Sequence, residues 1–127
     1  MIHINYAISP SRTHGVGLFT TQPIHAGELI YTPNPLLDAN VSAEQFANLS
    51  SSEQREIQYY GYFNKKTKLW HVAFDAIRML NHASGDTANI SQDEDMVMTA
   101  KRDIAAGEEL LQDYLDFDTP EELSKRF

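Results

Sequence analysis

Short β-prone runs separated by glycine and proline are the feature that most constrains what this chain can fold into. Residues 17–21 and 28–31 carry leucine, β-branched and aromatic side chains between turn-forming residues, and residues 96–100 form another such run. Runs of this kind are typical of strands that tight turns connect. The sequence therefore predicts a mostly β fold.

The helices predicted from the sequence are short, and each begins at a capping residue. Ser42 has Gln45 three residues further on, which predicts a capping box at the start of a helical stretch that ends at Gly61. The serines at 50–52 leave open a division of this stretch into two shorter helices, since each can cap a new start through Glu53 or Gln54.

Further along the chain, turn and cap signals predict the remaining elements. Residues 62–74 read as a hairpin around the turn at 65–68, and residues 84–95 read as a loop. Thr119 followed by Pro120 predicts a short C-terminal helix, because proline fits the first helical position.

Composition excludes several classes of protein. A chain of 127 residues is long enough for one domain, which we expect to span residues 1–127. It has no cysteine, which excludes disulfide frameworks, thiolate zinc sites and cysteine nucleophiles. Its net charge of −8 would repel nucleic-acid phosphates and anionic membranes, so we expect neither as a direct partner.

The sequence also bears on location. No apolar run reaches the roughly 18 residues that a membrane helix needs, and the first residues lack a signal-peptide pattern. We expect an intracellular protein, cytoplasmic or, in a eukaryotic host, chromatin-associated. Export into another cell is left open.

Acidic residues are concentrated in the C-terminal third of the chain. Residues 1–85 hold six acids and six bases, whereas residues 86–122 hold twelve acids and two bases. A solvated, solubilising face is one interpretation. A docking surface for a partner rich in lysine and arginine is the other.

Three segments combine residue types that suit a ligand site. Residues 14–17 place two glycines one residue apart, which lets the backbone approach a ligand closely, although a simple turn has the same pattern. Asn81 offers two donors and an acceptor for an amino-acid-like ligand, and the adjacent His82 can anchor the segment. The competing interpretation of His82 is a hydrogen-bonded histidine of the core. Tyr114 follows a strand-like run, where it can be either a site residue or an aromatic side chain of the core.

The histidines do not form a metal-binding pattern. The five of them, at positions 3, 14, 25, 71 and 82, lack metal-ligand spacing. A metal-dependent hydrolase therefore has little support, and we expect no metal site.

In their order and spacing the three segments resemble the SET domain, the fold of protein-lysine methyltransferases. The matching strings are HGVGLFTTQPIHAGELI at 14–30, RMLNHASGDTANI at 78–90 and AKRDIAAGEELLQDY at 100–114. The short chain is similar to the minimal free-standing SET proteins of viruses and bacteria. The resemblance implies a mostly β, β-clip-like fold with short helices. It also implies that the C-terminal segment is threaded as a pseudoknot, with Tyr114 beside Asn81 and His82.

The resemblance further implies a methyl donor, S-adenosylmethionine, and residues that bind it. Tyr114 matches the family's catalytic tyrosine. Tyr60, Tyr62, Phe63 and Gln112 are expected to line the channel for the substrate lysine. The residues expected to bind the donor are His14, Gly15, Val16, Gly17, Arg78, Asn81 and His82, with Phe117 as a further candidate for stacking on the adenine.

The function implied is methylation of a lysine side chain in a protein, with a basic, histone-like tail as the expected substrate and a homodimer as the expected assembly. Two departures from the family pattern matter. Ala88 precedes Asn89, the last asparagine of the string at 78–90, where the family commonly has a proline. Gln112 stands two residues before Tyr114, where the family usually has Phe or Tyr. They keep a second interpretation open: a catalytically degenerate SET-fold module that binds a basic peptide or protein.

Overall fold

The strands of the chain form three small sheets in a computed structural model that describes residues 1–126. All ten strands in this range are two to five residues long, as the frequent glycine and proline residues predict. In chain order the strands are β1 (Tyr6–Pro10), β2 (Val16–Thr20), β3 (Leu29–Tyr31), β4 (Ala39–Ser42), β5 (Tyr62–Asn64), β6 (Leu69–Val72), β7 (Asn81–His82), β8 (Ile90–Gln92), β9 (Met98–Ala100) and β10 (Leu111–Gln112).

The sheets bring distant parts of the chain together. β1 and β2 form an antiparallel hairpin, and β4, β6 and β5 form an antiparallel sheet in that order. The third sheet has the order β3-β9-β8-β10-β7, and β10 runs parallel to both of its neighbours. β10 therefore lies between β7 and β8 and places residues 111–114 beside residues 81–82.

The helices begin where the sequence predicts. They are α1 (Ala43–Ala47), α2 (Ser51–Tyr60) and α3 (Pro120–Ser124), and 3-10 turns form at Ala76–Met79, Gly85–Thr87 and Tyr114–Asp116. Ser42 and Ser50 each make a complete capping box, Gly61 ends α2, and Thr119 caps α3. These contacts satisfy amide groups that a helix start leaves without partners, each worth about 1 kcal/mol.

Aliphatic side chains from all regions of the chain form one core. Leu18, Ile30, Ile90 and Leu110 are all 0% exposed. Burying a side chain of this size stabilises the fold by about 2 kcal/mol. The core fixes β2, β3, β8 and the segment before β10 relative to one another, and these elements carry the candidate site.

One prediction about the elements is wrong. The loop predicted over residues 84–95 contains β8, because Ile90 packs in the core and Ile90–Gln92 pairs with β9. Polar residues surround this strand in the sequence, and they hide its pattern.

Across residues 1–126 we find no helix with the length and apolar character needed to cross a membrane.

Candidate active site

Asn81 ties the start of β7 to the loop that precedes β2. The two hydrogens of its Nδ2 are shared among three acceptors: the carbonyl oxygens of His14 at 2.9 Å and Val16 at 3.0 Å, and Glu109 Oε2 at 3.0 Å. The residue is only 8% exposed. Because the two amide hydrogens are used by the chain itself, Asn81 fixes the position of the glycine segment 14–17.

The two glycines of this segment serve different purposes. Gly15 has a φ of +50°, a conformation that other residues adopt only at a cost. Gly17 lies in close contact with its neighbours, since a Cβ there would come within 2.2 Å of Glu109 Oε2 and 3.2 Å of Asn81 Nδ2. The first glycine therefore allows the turn of the backbone, and the second allows its close packing on Glu109 and Asn81.

A large cavity opens beside this segment. Its volume is about 770 Å³, within the range of roughly 300–1,000 Å³ that is typical of small-molecule sites. The segment 14–16 and residues 78–81 form one side, and α2 and α3 form another. Its walls include the cationic side chains of Arg55, Arg78, Lys125 and Arg126.

A small cavity of about 50 Å³ lies next to the large one. Aromatic and amide side chains dominate its walls, among them Tyr31, Tyr62, His71, Gln92, Gln112 and Phe117. The two cavities share six wall residues: Tyr59, Tyr60, Arg78, Leu80, Tyr114 and Arg126. A ligand in the large cavity and a side chain in the small one would therefore meet near Tyr114.

Tyr114 is held at this junction by contacts to β7. Its hydroxyl donates to the Leu80 carbonyl oxygen, and its backbone N–H donates to His82 Nδ1 at 3.0 Å. The rings of His82 and Tyr114 have centroids 5.1 Å apart. Burial raises the pKa of the Tyr114 phenol to about 12, so the hydroxyl keeps its hydrogen at neutral pH.

A chain of hydrogen-bonded polar side chains lies in the wall of the small cavity. Gln112 Nε2 donates to Gln92 Oε1 at 2.8 Å, and Gln92 Nε2 donates to the Tyr62 hydroxyl at 2.6 Å. Gln112 is 2% exposed, so its amide is buried with a partner. Tyr62 also stacks on Phe117, with ring centroids 4.4 Å apart.

Arg126 closes the junction from the C-terminal side. Its guanidinium pairs with the buried carboxylate of Asp118, with Nε 2.5 Å from Oδ2, and donates to the carbonyl oxygens of Gln58 and Gly61. It also lies 5.5 Å from the centre of the Tyr114 ring. α3 is thereby joined to the end of α2 and to Tyr114.

The structure brings most of the predicted site residues into two groups. The walls of the large cavity include His14, Gly15, Val16, Arg78, Asn81, Tyr60, Phe63 and Tyr114. The walls of the small cavity include Tyr60, Tyr62, Gln112, Tyr114 and Phe117.

Three residues predicted to bind the methyl donor are not among the walls of the large cavity. Phe117 lines the small cavity with the expected channel residues. Gly17 packs against Glu109, and His82 contacts Tyr114 and Ser84 from behind. Their expected roles in donor binding stay predictions.

Sequence reasoning missed residues that hold the site together. Asn89 is 2% exposed, and its side chain donates to the Glu109 carbonyl oxygen and accepts from the Leu111 N–H. Its place in the asparagine-histidine motif was the signal that could have identified it. Glu109 lies inside the matching string at 100–114, which is a signal of the same kind, whereas Asp118 lies in an acidic stretch that reads as solvated surface.

The family model for the SET domain matches residues 15–115. A comparison with curated proteins finds no significant match. Among solved structures, a candidate histone methyltransferase of Plasmodium falciparum is similar at 21% identity with a TM-score of 0.62, over 89% of this chain and 95% of that chain.

Two larger assemblies contain similar chains. One is ctPRC2 in an autoinhibited conformation bound to S-adenosylmethionine, with 21% identity, a TM-score of 0.66 and coverage of 97% of this chain. The other is an active polycomb repressive complex 2 in the basal state, with 25% identity, a TM-score of 0.64 and coverage of 87%. This chain spans only 17% and 15% of the lengths of those two chains. The likenesses establish a shared fold.

Proposed function

This chain belongs to the SET domain family, and from that premise we propose that it transfers a methyl group from S-adenosylmethionine to the side-chain nitrogen of a lysine in a protein. The observation that carries the proposal is the junction of a large and a small cavity at Tyr114 and Leu80. A two-substrate transfer needs two compartments that meet at the reacting atoms.

The large cavity suits the donor. Bound there, S-adenosylmethionine supplies a methyl group on a positively charged sulfur. The backbone of residues 14–16 allows close approach, and Asn81 holds that backbone in place. The guanidinium of Arg78 is a suitable partner for the carboxylate of the donor.

The small cavity suits the end of a lysine side chain. Its volume of about 50 Å³ has room for about four water-sized groups, and the end of lysine, from Cγ to Nζ, has as many heavy atoms. A lysine nitrogen inside a cavity this small loses most of its water, and this desolvation disfavours the charged ammonium form. Lysine ordinarily has a pKa near 10.4, so its deprotonation at pH 7 costs about 5 kcal/mol without such help.

Tyr114 would align the reacting groups. After its ammonium had lost a proton to solvent, the lysine nitrogen would be held by the walls of the small cavity, on the path along which the bound donor would supply its methyl group. Because the Tyr114 hydroxyl is engaged with the Leu80 carbonyl oxygen, both groups stand at fixed positions on this path. Alignment of this kind is the main contribution a protein makes to an in-line displacement.

The acidic surface supports a basic substrate. Asp86, Asp93, Glu94, Asp95 and Asp116 are exposed on the C-terminal part of the chain. Their field would attract a lysine-rich, histone-like tail. A homodimer and an intracellular location remain part of the proposal.

Calorimetric titration with S-adenosylmethionine tests the donor site without a known substrate. We expect binding in the micromolar range that Asn81→Ala abolishes and Asn48→Ala, at an exposed position at the end of α1, leaves unchanged. An absence of binding at millimolar donor would contradict the proposal and favour the degenerate binding module.

A further inference from the structure

We propose that Glu109 is a positioning residue for the methyl donor, holding the loop of residues 11–17 and Asn81 in the arrangement that forms one wall of the large cavity. Residues 11–17 are called the donor loop below. The identity of the ligand rests on the proposed function.

The carboxylate of Glu109 joins three parts of the chain. Its two oxygens both lie 2.8 Å from Ser11 Oγ, and Oε2 lies 3.0 Å from Asn81 Nδ2. Ser11 Oγ in turn accepts from the backbone N–H groups of Thr13, at 2.9 Å, and His14, at 3.3 Å. Because a hydroxyl has one hydrogen, its donation to Glu109 orients its lone pairs toward those two amides.

The backbone around Glu109 is fixed independently of its side chain. Its carbonyl oxygen accepts from Asn89 Nδ2 at 2.9 Å, and the following Leu110 N–H donates to the Leu18 carbonyl oxygen at 2.8 Å. The backbone of Glu109 also forms an antiparallel β-bridge with Phe19 of β2. The carboxylate is therefore presented to the donor loop from a rigid base.

A carboxylate suits this place for a chemical reason. It is an acceptor without donors, and the groups facing it are the donors Ser11 Oγ and Asn81 Nδ2. Hydrogen bonds to a charged acceptor are roughly twice as strong as neutral ones. The missing side chain of Gly17 leaves the space that the carboxylate occupies.

Glu109 acts through other residues. It is absent from the walls of both cavities, as far as residues 1–126 show, whereas Asn81 and His14 line the large one. Its removal should therefore weaken donor binding and leave the rate at saturating donor nearly unchanged.

The neighbouring Glu108 provides a matched control. Its carboxylate accepts from the Ala105 N–H at 2.6 Å and lies 3.5 Å from Arg102 Nη1, away from the donor loop. Glu108→Ala removes the same chemical group one position away.

Calorimetry and kinetics test the affinity effect. We expect Glu109→Ala to raise the Kd for S-adenosylmethionine by about ten- to hundredfold, the loss of a charge-assisted hydrogen-bond set, with kcat at saturating donor within about threefold. Glu109→Gln keeps an acceptor and should recover part of the affinity, and Glu108→Ala should match the unmodified protein. Donor binding by Glu109→Ala within about twofold of the unmodified protein would overturn the inference.

A second measurement needs no donor. We expect Glu109→Ala to speed amide hydrogen exchange at Thr13 and His14 by about tenfold or more, with Glu108→Ala unchanged. If the unmodified protein binds no donor, the proposed function fails, and the exchange rates then decide whether Glu109 organises the loop. Unchanged exchange at both amides would overturn the inference even in a protein that methylates lysine.

The contact with Gly17 gives a third test of the same geometry. Gly17→Ala places a Cβ against the carboxylate, so it should lower thermal stability in the unmodified background and lower it less in Glu109→Ala. Equal losses in both backgrounds would contradict the packing of Glu109 on Gly17.

Discussion

At the scale of single residues, the account depends on side chains whose partners lie far away in sequence. The Tyr114 hydroxyl reaches Leu80, and Asn81 reaches His14, 67 positions earlier. Each contact joins segments that lie directly beside strands of the fold. Substitutions at these positions should therefore separate chemical roles from folding.

Tyr114→Phe should lower the rate of methyl transfer by about 100-fold, because it removes the hydroxyl at the junction of the two cavities and keeps the ring. The Kd for S-adenosylmethionine should stay within about threefold. Single-turnover kinetics and calorimetry measure the two effects. Tyr6→Phe, at a residue of β1 that is 41% exposed and lines neither cavity, is the matched control. Full activity of Tyr114→Phe would show that the hydroxyl has no part in the transfer.

Alkaline pH should destabilise the protein through its buried tyrosines. Burial raises the pKa of Tyr31 and Tyr62 and raises the pKa of Tyr114 to about 12. The unfolded chain loses these protons near pH 10 and the folded chain holds them longer, so the stabilising contribution is complete below pH 10 and falls as the pH rises above it. Thermal unfolding between pH 8 and 12 should show a falling midpoint. A midpoint that stays constant above pH 10 would contradict the burial of these phenols.

Residues whose type suits a ligand and that stand in a motif were predictable from the sequence, whereas the inward-facing member of the pair Glu108 and Glu109 was not. Gly15, Asn81 and Tyr114 stand in motifs that resemble a family pattern, and the structure places all three on the large cavity. Glu109 stands beside Glu108 in an acidic stretch, and only the pairing of Phe19 with Glu109 turns the second side chain inward.

At the scale of elements, a buried ion pair joins the two ends of α3, because Asp118 lies just before the helix and Arg126 just after it. Asp118 is almost completely buried, with a side chain 2% exposed, and its partner Arg126 is 15% exposed. Arg126 also contacts the rings of Tyr114 and Phe117. The pair therefore connects the stability of α3 to the geometry of the site.

Arg126→Ala should lower the free energy of unfolding by about 3 kcal/mol, because it leaves the buried Asp118 carboxylate without its cation. Denaturant titration measures the loss. The adjacent Lys125→Ala is the control, since its ion pair with Glu121 is exposed and should contribute less than about 1 kcal/mol. Equal effects from the two substitutions would show that the Arg126 pair contributes no more than a surface contact.

Helix starts were predictable because their signals are local. Ser42, Ser50 and Thr119 cap helices with partners three residues away. The two-residue strands β7 and β10 were not predictable, since strands this short are defined only by their pairing partners. The strand β8 was missed for a different reason, since the polar residues on either side of it hide its pattern.

At the scale of the whole molecule, the position of β10 between β7 and β8 explains how three distant motifs form one site. The implied threading of the C-terminal segment as a pseudoknot stays a prediction. The uneven charge is the other global feature, and the attraction of a basic substrate that it would produce is part of the proposed function.

The kcat/KM for a lysine-rich peptide should fall on the order of tenfold between 0.05 M and 0.5 M salt, because salt screens attraction to the exposed acidic residues. Steady-state kinetics with the same peptide at several salt concentrations measures the effect. The Kd for the donor, whose cavity has walls of both charges, should change by less than about twofold. A kcat/KM that does not depend on salt would assign the acidic surface to solubility alone.

Transfer of an isotope-labelled methyl group from S-adenosylmethionine to peptides tests the central claim most directly. A panel of basic peptides, each with a partner in which arginine replaces lysine, would be analysed by mass spectrometry. The account predicts labelled lysine in at least one peptide, no label in its arginine partner, and no label with Tyr114→Phe beyond about 1% of the normal rate. Donor binding without any labelled product from a broad panel would contradict the account and identify the chain as a SET-fold binding module.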